Sequence, residues 1–210
     1  MVRMKMLELD PAALGQVGMY RFLISTIVPR PIAFISTISP EGIVNLAPFS
    51  FFNGVSSNPP CVMVSITRKS DGDKKDTLRN IEATRQFVLN TTPEWLAQQM
   101  NQCSAEYPYG VSELEKVGLT AVPSLRVKPP RIGESPVQME CELYETLEIG
   151  DGSMGSATIV VGKIVMAHVA ESAWKDGKAT FEELKPLSRL GGLSYGKTSD
   201  VFDLPRPKAE

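Results

Sequence analysis

From Val137 to Leu147 the apolar residues Val137, Met139, Cys141, Leu143 and Leu147 alternate with Gln138, Glu140, Glu142, Tyr144 and Thr146, and only Glu145 is out of step. A period of two suits an extended strand and cannot give a helix one apolar face. A Gly-rich loop follows, then the long apolar run Ala157 to Val169, in which Gly162 marks a bulge or a close backbone approach. Upstream, Ile32 to Ser39 reads as a strand that turns at Pro40-Glu41-Gly42. The return arm, Val44 to Phe52, contains Pro48, which cannot donate to a ladder and so indicates an edge or a bulge. Cys61 to Ile66 and Gln86 to Asn90 are further short strands.

Helical signals fall between these strands. Asp76 can cap a helix beginning at Thr77, Pro93 can open a second that runs to about Cys103, and Ser112 with Glu115 has capping-box spacing for a third ending at Gly118. Short turns between strands, with helices inserted in the middle, predict an antiparallel barrel and exclude a parallel doubly wound sheet. A chain of 210 residues is expected to form one domain from this material. Its divisions are an N-terminal extension (1–19), the barrel (20–196) and a C-terminal tail (197–210).

A formal charge of -2 gives no overall attraction to nucleic acid or anionic membrane. No apolar run approaches the ~18 residues of a membrane span, and Met1 to Asp10 lacks the apolar core of a secretory signal. Cys61, Cys103 and Cys141 are far apart and form no C-x-x-C pair, which reads as buried free thiols in a reducing, cytoplasmic setting.

Two nucleotide-binding patterns fail their context. Gly150-x-Gly152-x-x-Gly155 is followed by the β-branched run Thr158 to Val161, where a dinucleotide fingerprint needs a helix, so it reads as a hairpin loop. Gly191-x-x-x-x-Gly196-Lys197-Thr198 matches a P-loop, but Pro205 and the end of the sequence leave no crossover helix or following strand. His168 is the sole histidine, which rules out paired-histidine zinc motifs.

The stretch Ser36 to Asn53 combines a hairpin with many small hydroxyl and amide side chains. Such a surface lets a flat polar heteroaromatic ring approach the backbone, although an edge hairpin of no special role has the same composition. Lys74-Lys75-Asp76-Thr77-Leu78-Arg79-Asn80 places two lysines and a hydroxyl at a helix start, which suits a phosphate and equally suits a solvated basic run.

Pro29-Arg30-Pro31-Ile32-Ala33 leading into Ser36-Thr37, Asn45 to Phe52, Asn58-Pro59-Pro60, Lys75 to Ile81, and Arg189 to Gly192 with Tyr195 together resemble the flavin reductase-like, FMN-binding split-barrel family, in particular its flavoredoxin-like branch. The resemblance spans about Tyr20 to Tyr195. It implies a mainly β fold: an antiparallel, Greek-key split β-barrel with a few inserted helices, homodimeric, with FMN in a groove near the subunit interface. It places Ser36, Thr37, Asn45, Ala47, Pro48, Ser50, Phe51 and Phe52 around the isoalloxazine and ribityl chain, and Lys75, Thr77 and Asn80 at the phosphate. Arg30 is a phosphate or dimer-contact candidate, and His168 and Tyr195 are candidates for supporting roles near the incoming donor. The implied activity is an FMN-dependent oxidoreductase that moves electrons from NAD(P)H, or from a protein donor, to a flavin, ferric or protein acceptor. Its alternatives are a non-catalytic electron carrier and a barrel that has lost its flavin.

Overall fold

The computed structural model describes residues 4–208. Seven strands build the main sheet: β1 (Ala33–Ile38), β2 (Val44–Phe49), β3 (Phe52–Ser57), β4 (Pro60–Thr67), β5 (Gln86–Thr91), β6 (Val137–Ile149) and β7 (Ala157–Val169). They lie in the order β2-β1-β5-β6-β7-β4-β3, and every pairing is antiparallel. The two edge strands, β2 and β3, follow each other in the chain through Ser50 and Phe51, so the sheet curls until its edges are neighbours. The Ser65 N–H donates to the Phe51 carbonyl at 2.8 Å and ties this link to β4. Among the described residues no ladder joins β2 to β3, and the barrel stays split. Pro48 lies on edge strand β2, where its missing N–H leaves the inner ladder to β1 intact.

Two apolar clusters share β1. Ala33 and Ile35 face the barrel interior with Val64, Ile66, Phe87 and Val160. Ile32, Phe34 and Leu46 face outward, under Leu96, Met100 and Leu114 of the inserted helical segment. Burial on both faces is why β1 reads as a continuous apolar run while the half-exposed β6 alternates. Helix α2 (Asp76–Thr84) adds Leu78 and Ile81 to the interior cluster, each such burial contributing roughly 1.5–3 kcal/mol. It begins one residue earlier than the cap signal suggests, with Lys75 at the cap position. The Pro93 signal opens a 3₁₀ turn (Glu94–Leu96) that runs into α3 (Ala97–Gln102), and Gly118 closes α4 (Glu113–Val117) at φ 66.

The β6–β7 hairpin turns through Gly150, Gly152 and Gly155 at φ 94, 88 and 95, so the dinucleotide-like glycines serve a turn. Gly196 and Lys197 lie in a short strand, Tyr195–Lys197, paired with Leu187–Arg189, so the P-loop-like run has no helix to open. At Gly162 the β6–β7 register shifts, and a Cβ there would run into the Phe87 ring and come within 3.2 Å of the Cys141 Cβ.

Helix α1 (Pro11–Thr26) was not anticipated, and the expected boundary at 19/20 falls inside it. The Asp10 carboxylate caps it by accepting from the Ala12 N–H at 2.9 Å, Pro11 opens it, and Gly15 breaks it at φ 62. None of its residues is buried, so it carries no clean apolar stripe for periodicity to detect. Residues 1–3 of the expected extension and 209–210 of the expected tail lie outside the described residues. No helix among the described residues is long and apolar enough to cross a membrane.

Candidate functional site

The β1–β2 hairpin and the start of α2 meet in a buried polar network. Asn45 Nδ2 donates to Thr77 Oγ1 at 2.9 Å and to Thr37 Oγ1 at 3.3 Å, and Asn80 Nδ2 donates to Thr37 Oγ1 at 3.1 Å. The Tyr109 hydroxyl adds a bond to Asn80 Oδ1 at 3.3 Å. Buried amides and hydroxyls must find partners, and here the partners lie on different elements, which fixes the helix start against the edge of the sheet.

A groove of adjoining cavities with shared lining residues leaves this junction. Its first part, about 100 Å³, is lined by Asn45, Ala47, Pro48, Lys75, Thr77 and Glu113. Pro48, Phe49 and Lys75 also border the second part, about 170 Å³, which adds Arg30, Ser50, Phe51, Ser65, Thr67 and Arg189. Tyr20, Phe51, Ser65 and Thr67 then lead beneath α1 into a third part of about 530 Å³.

Charge is distributed unevenly along it. Lys69 pairs with Asp76 at 2.8 Å, Lys74 with Glu82 at 2.6 Å and Arg79 with Asp73 at 3.0 Å. Lys75 is the cation of this run with no carboxylate partner among the described residues, and Lys69 offsets the charge of Asp76 beside it. Lys75 caps α2 without a side-chain hydrogen bond, so the N–H groups of the first turn are left for another acceptor. The second part holds Arg30, Lys75 and Arg189 and, among the described residues, no carboxylate. Arg30 is 5% exposed and gives Nη1 to the Ile24 and Ile27 carbonyls (2.7 and 2.6 Å), Nη2 to Leu190 (3.2 Å) and Nε to Ser50 Oγ (3.3 Å). Burial, and then the charge of Arg189, lowers its pKa from the ordinary value.

Glu113 was not among the residues singled out. It is buried, and Oε2 accepts from the Leu46 N–H at 3.0 Å on edge strand β2. Burial raises its pKa against the opposing effect of that hydrogen bond. In the sequence it is hidden inside a capping-box pattern, and only its contact with a distant strand distinguishes it. Cys103 also lines the first part, but burial, and then Glu113, pushes its thiol up to about 12, which leaves it a resting thiol.

Arg30, Asn45, Ala47, Pro48, Ser50, Phe51, Lys75 and Thr77 are thus brought to one groove. Asn80 borders a small side pocket next to Asn45, and Thr37 lies behind both. Ser36 points to the other face of β1, where it donates to the Pro130 carbonyl at 2.5 Å and accepts from Asn90 at 3.3 Å. Phe52 packs against the interior cluster. His168 lies outside the groove lining: its Nε2 meets Glu140 Oε1 at 2.6 Å, and Glu140 also accepts from the Leu125, Arg126 and Val127 N–H groups. Along β7 it is 11 residues from Ala157, which borders the third part, a separation on the order of 35 Å at the rise of a strand. Tyr195 stacks beneath Arg189 at 4.5 Å and donates to Asn101 at 3.1 Å.

This fold has close counterparts. An uncharacterized protein of Halalkalibacterium halodurans is 40% identical over 202 residues, covering 96% of this chain and 97% of that one. Nitrilotriacetate monooxygenase component B from Bacillus cereus superposes with a TM-score of 0.92 at 35% identity, covering 96% of this chain and 100% of that one. The 2-nitrobenzoate 2-nitroreductase of Pseudomonas fluorescens superposes at 0.86 with 30% identity, covering 96% of each chain. The model of the flavin reductase like domain matches residues 24–184, so the split barrel and its groove belong to a chain of the flavin reductase-like family.

Proposed function

We propose that the groove binds FMN and that the protein is an oxidoreductase passing electrons from NAD(P)H to a second acceptor. The observation that carries this reading is the Asn45–Thr77 junction, which sets a lysine with no carboxylate partner among the described residues and an open helix start at the head of a row of adjoining cavities. These groups fit the cofactor: an anion-seeking end, then Asn45, Ala47 and Pro48 on an edge strand, then a cationic cavity without carboxylates beside Ser50 and Phe51.

Lys75, Thr77 and the first-turn N–H groups of α2 would hold the phosphate. Asn80 and Thr37 keep Thr77 and Asn45 in place from behind. Ser50 and Phe51 border the ring end, where Arg30 supplies a fixed positive charge. When bound, the flavin supplies the hydride- and electron-accepting chemistry, and the protein contributes placement and electrostatics. Arg30, Arg189 and Lys75 favour added negative charge in that part of the groove.

Similarity to a component of a monooxygenase supports a second protein as the acceptor. Free buried thiols fit a reducing, cytoplasmic location. Exposed apolar side chains on α1 and the β6–β7 hairpin, among them Tyr20, Leu147 and Met154, fit burial in a homodimer. Purified protein mixed with FMN should turn yellow, and anaerobic NADH or NADPH should bleach it. A yellow protein that neither nicotinamide bleaches would remove the nicotinamide donor and leave a protein donor.

A further inference from the structure

Glu113 lines the head of the groove beside Lys75, Asp76 and Thr77, yet it is 5% exposed and spends Oε2 on the Leu46 N–H at 3.0 Å. Leu46 lies on edge strand β2, so this N–H takes its acceptor from outside the sheet. A neutral glutamine would serve it as well, and at lower cost than a carboxylate, which is expensive to bury. What the carboxyl adds is a proton that it can hold or release.

The charges around Glu113 decide what that proton does. On the α2 side stand Lys69 and Asp76, paired at 2.8 Å, and Lys75, which has no carboxylate partner among the described residues. From the segment after α3 come Cys103, the exposed Glu106 and Tyr107, and the Cys103 thiol stays protonated because burial pushes it up to about 12. With Lys69 and Asp76 offsetting each other, an ionised Glu113 cancels Lys75 and turns a carboxylate toward an incoming phosphate. A protonated Glu113 leaves the Lys75 charge standing and presents an O–H donor. Burial favours the protonated form against the Leu46 hydrogen bond, and a phosphate dianion beside it favours that form further. We infer that Glu113 determines specificity at this site by donating its carboxyl proton to a phosphate oxygen, so that the head of the groove takes a phosphate monoester best while Glu113 is protonated. The inference rests on the proposed function in taking that monoester to be the phosphate of FMN. Binding and protonation are then linked: FMN affinity falls as pH rises through the Glu113 titration, and FMN binding above that point takes up a proton.

The test is calorimetric titration of the full chain with FMN and with riboflavin across pH, in buffers of different ionisation enthalpy so that protons are counted. Above about pH 7.5 the free phosphate is fully dianionic, so proton uptake there belongs to the protein. The parent should take up protons with FMN and none with riboflavin, a result that needs no variant to fold. Glu113→Gln imitates the protonated carboxyl, so it should abolish the uptake and match the parent's FMN affinity on the acid side. On the alkaline side it should bind FMN about tenfold more tightly than the parent. A ratio of the two affinities that stays constant with pH, or equal proton uptake with riboflavin, overturns the inference and leaves the flavin reading intact. If neither flavin binds, the flavin reading fails and inorganic phosphate becomes the probe. Phosphate affinity that falls with pH more steeply in the parent than in Glu113→Gln then keeps the inference, and absence of phosphate binding overturns it.

Discussion

Asn45 on edge strand β2 donates its side-chain amide to the Thr77 hydroxyl in the first turn of α2 across 2.9 Å, with both side chains buried. Removing one partner leaves a buried polar group unsatisfied, which costs about 1–3 kcal/mol. Asn45→Ala and Thr77→Val should each lower stability by that amount in urea titrations, and each should weaken FMN binding because the groove head loosens. Thr77→Ser keeps the hydroxyl and should retain most of both.

Lys75 differs from its neighbours Lys69 and Lys74 in having no carboxylate partner among the described residues. A charge-assisted bond to phosphate is worth about 1.5–3 kcal/mol, so Lys75→Ala should weaken FMN by roughly tenfold to a hundredfold. Riboflavin, which lacks the phosphate, should bind the variant and the parent equally in fluorescence-quenching titrations. An equal loss for both flavins would place Lys75 elsewhere than at the phosphate.

Burial holds the Glu113 carboxyl above its ordinary pKa. The folded protein therefore keeps a proton that the unfolded chain has released, so this contribution to stability is fully present below the unfolded value, roughly 4.3. It is lost as pH rises through the folded value. Glu113→Gln keeps a neutral acceptor for the Leu46 N–H and removes the titration. Its urea midpoint should gain on the parent's as pH rises from the acid side, whereas a constant difference across pH would show that Glu113 does not titrate in this range.

Gly162 sits where a Cβ would meet the Phe87 ring inside the barrel. Overpacking of this kind costs about 1–3 kcal/mol, so Gly162→Ala should lower the thermal midpoint. Adding Phe87→Leu should recover part of that loss, which a double-mutant cycle would measure.

Local features of the chain specify several of these elements. The alternation from Val137 to Leu147 and the turn glycines at 150, 152 and 155 follow from interactions among near neighbours in sequence, whereas Pro48 and Gly162 signal their places because one lacks an N–H and the other a Cβ. The failure of both nucleotide-loop patterns was equally readable, because each lacked a following helix. Ser36 could not be assigned to a face by pattern, since β1 is buried on both sides and carries no alternation. Helix α1 escaped detection because it covers a groove and buries none of its residues.

The sequence by itself determined where the chain extends, where it turns, and that hydroxyls, amides and lysines collect in two segments. The tertiary structure alone decided that those segments meet at Asn45 and Thr77, that Glu113 reaches Leu46, and that His168 is paired with Glu140 away from the groove. Periodicity and turn chemistry act over a few residues, whereas these contacts join positions 32, 67 and 28 residues apart in the chain. They exist only once the strands have paired and the inserted helices have packed against the sheet.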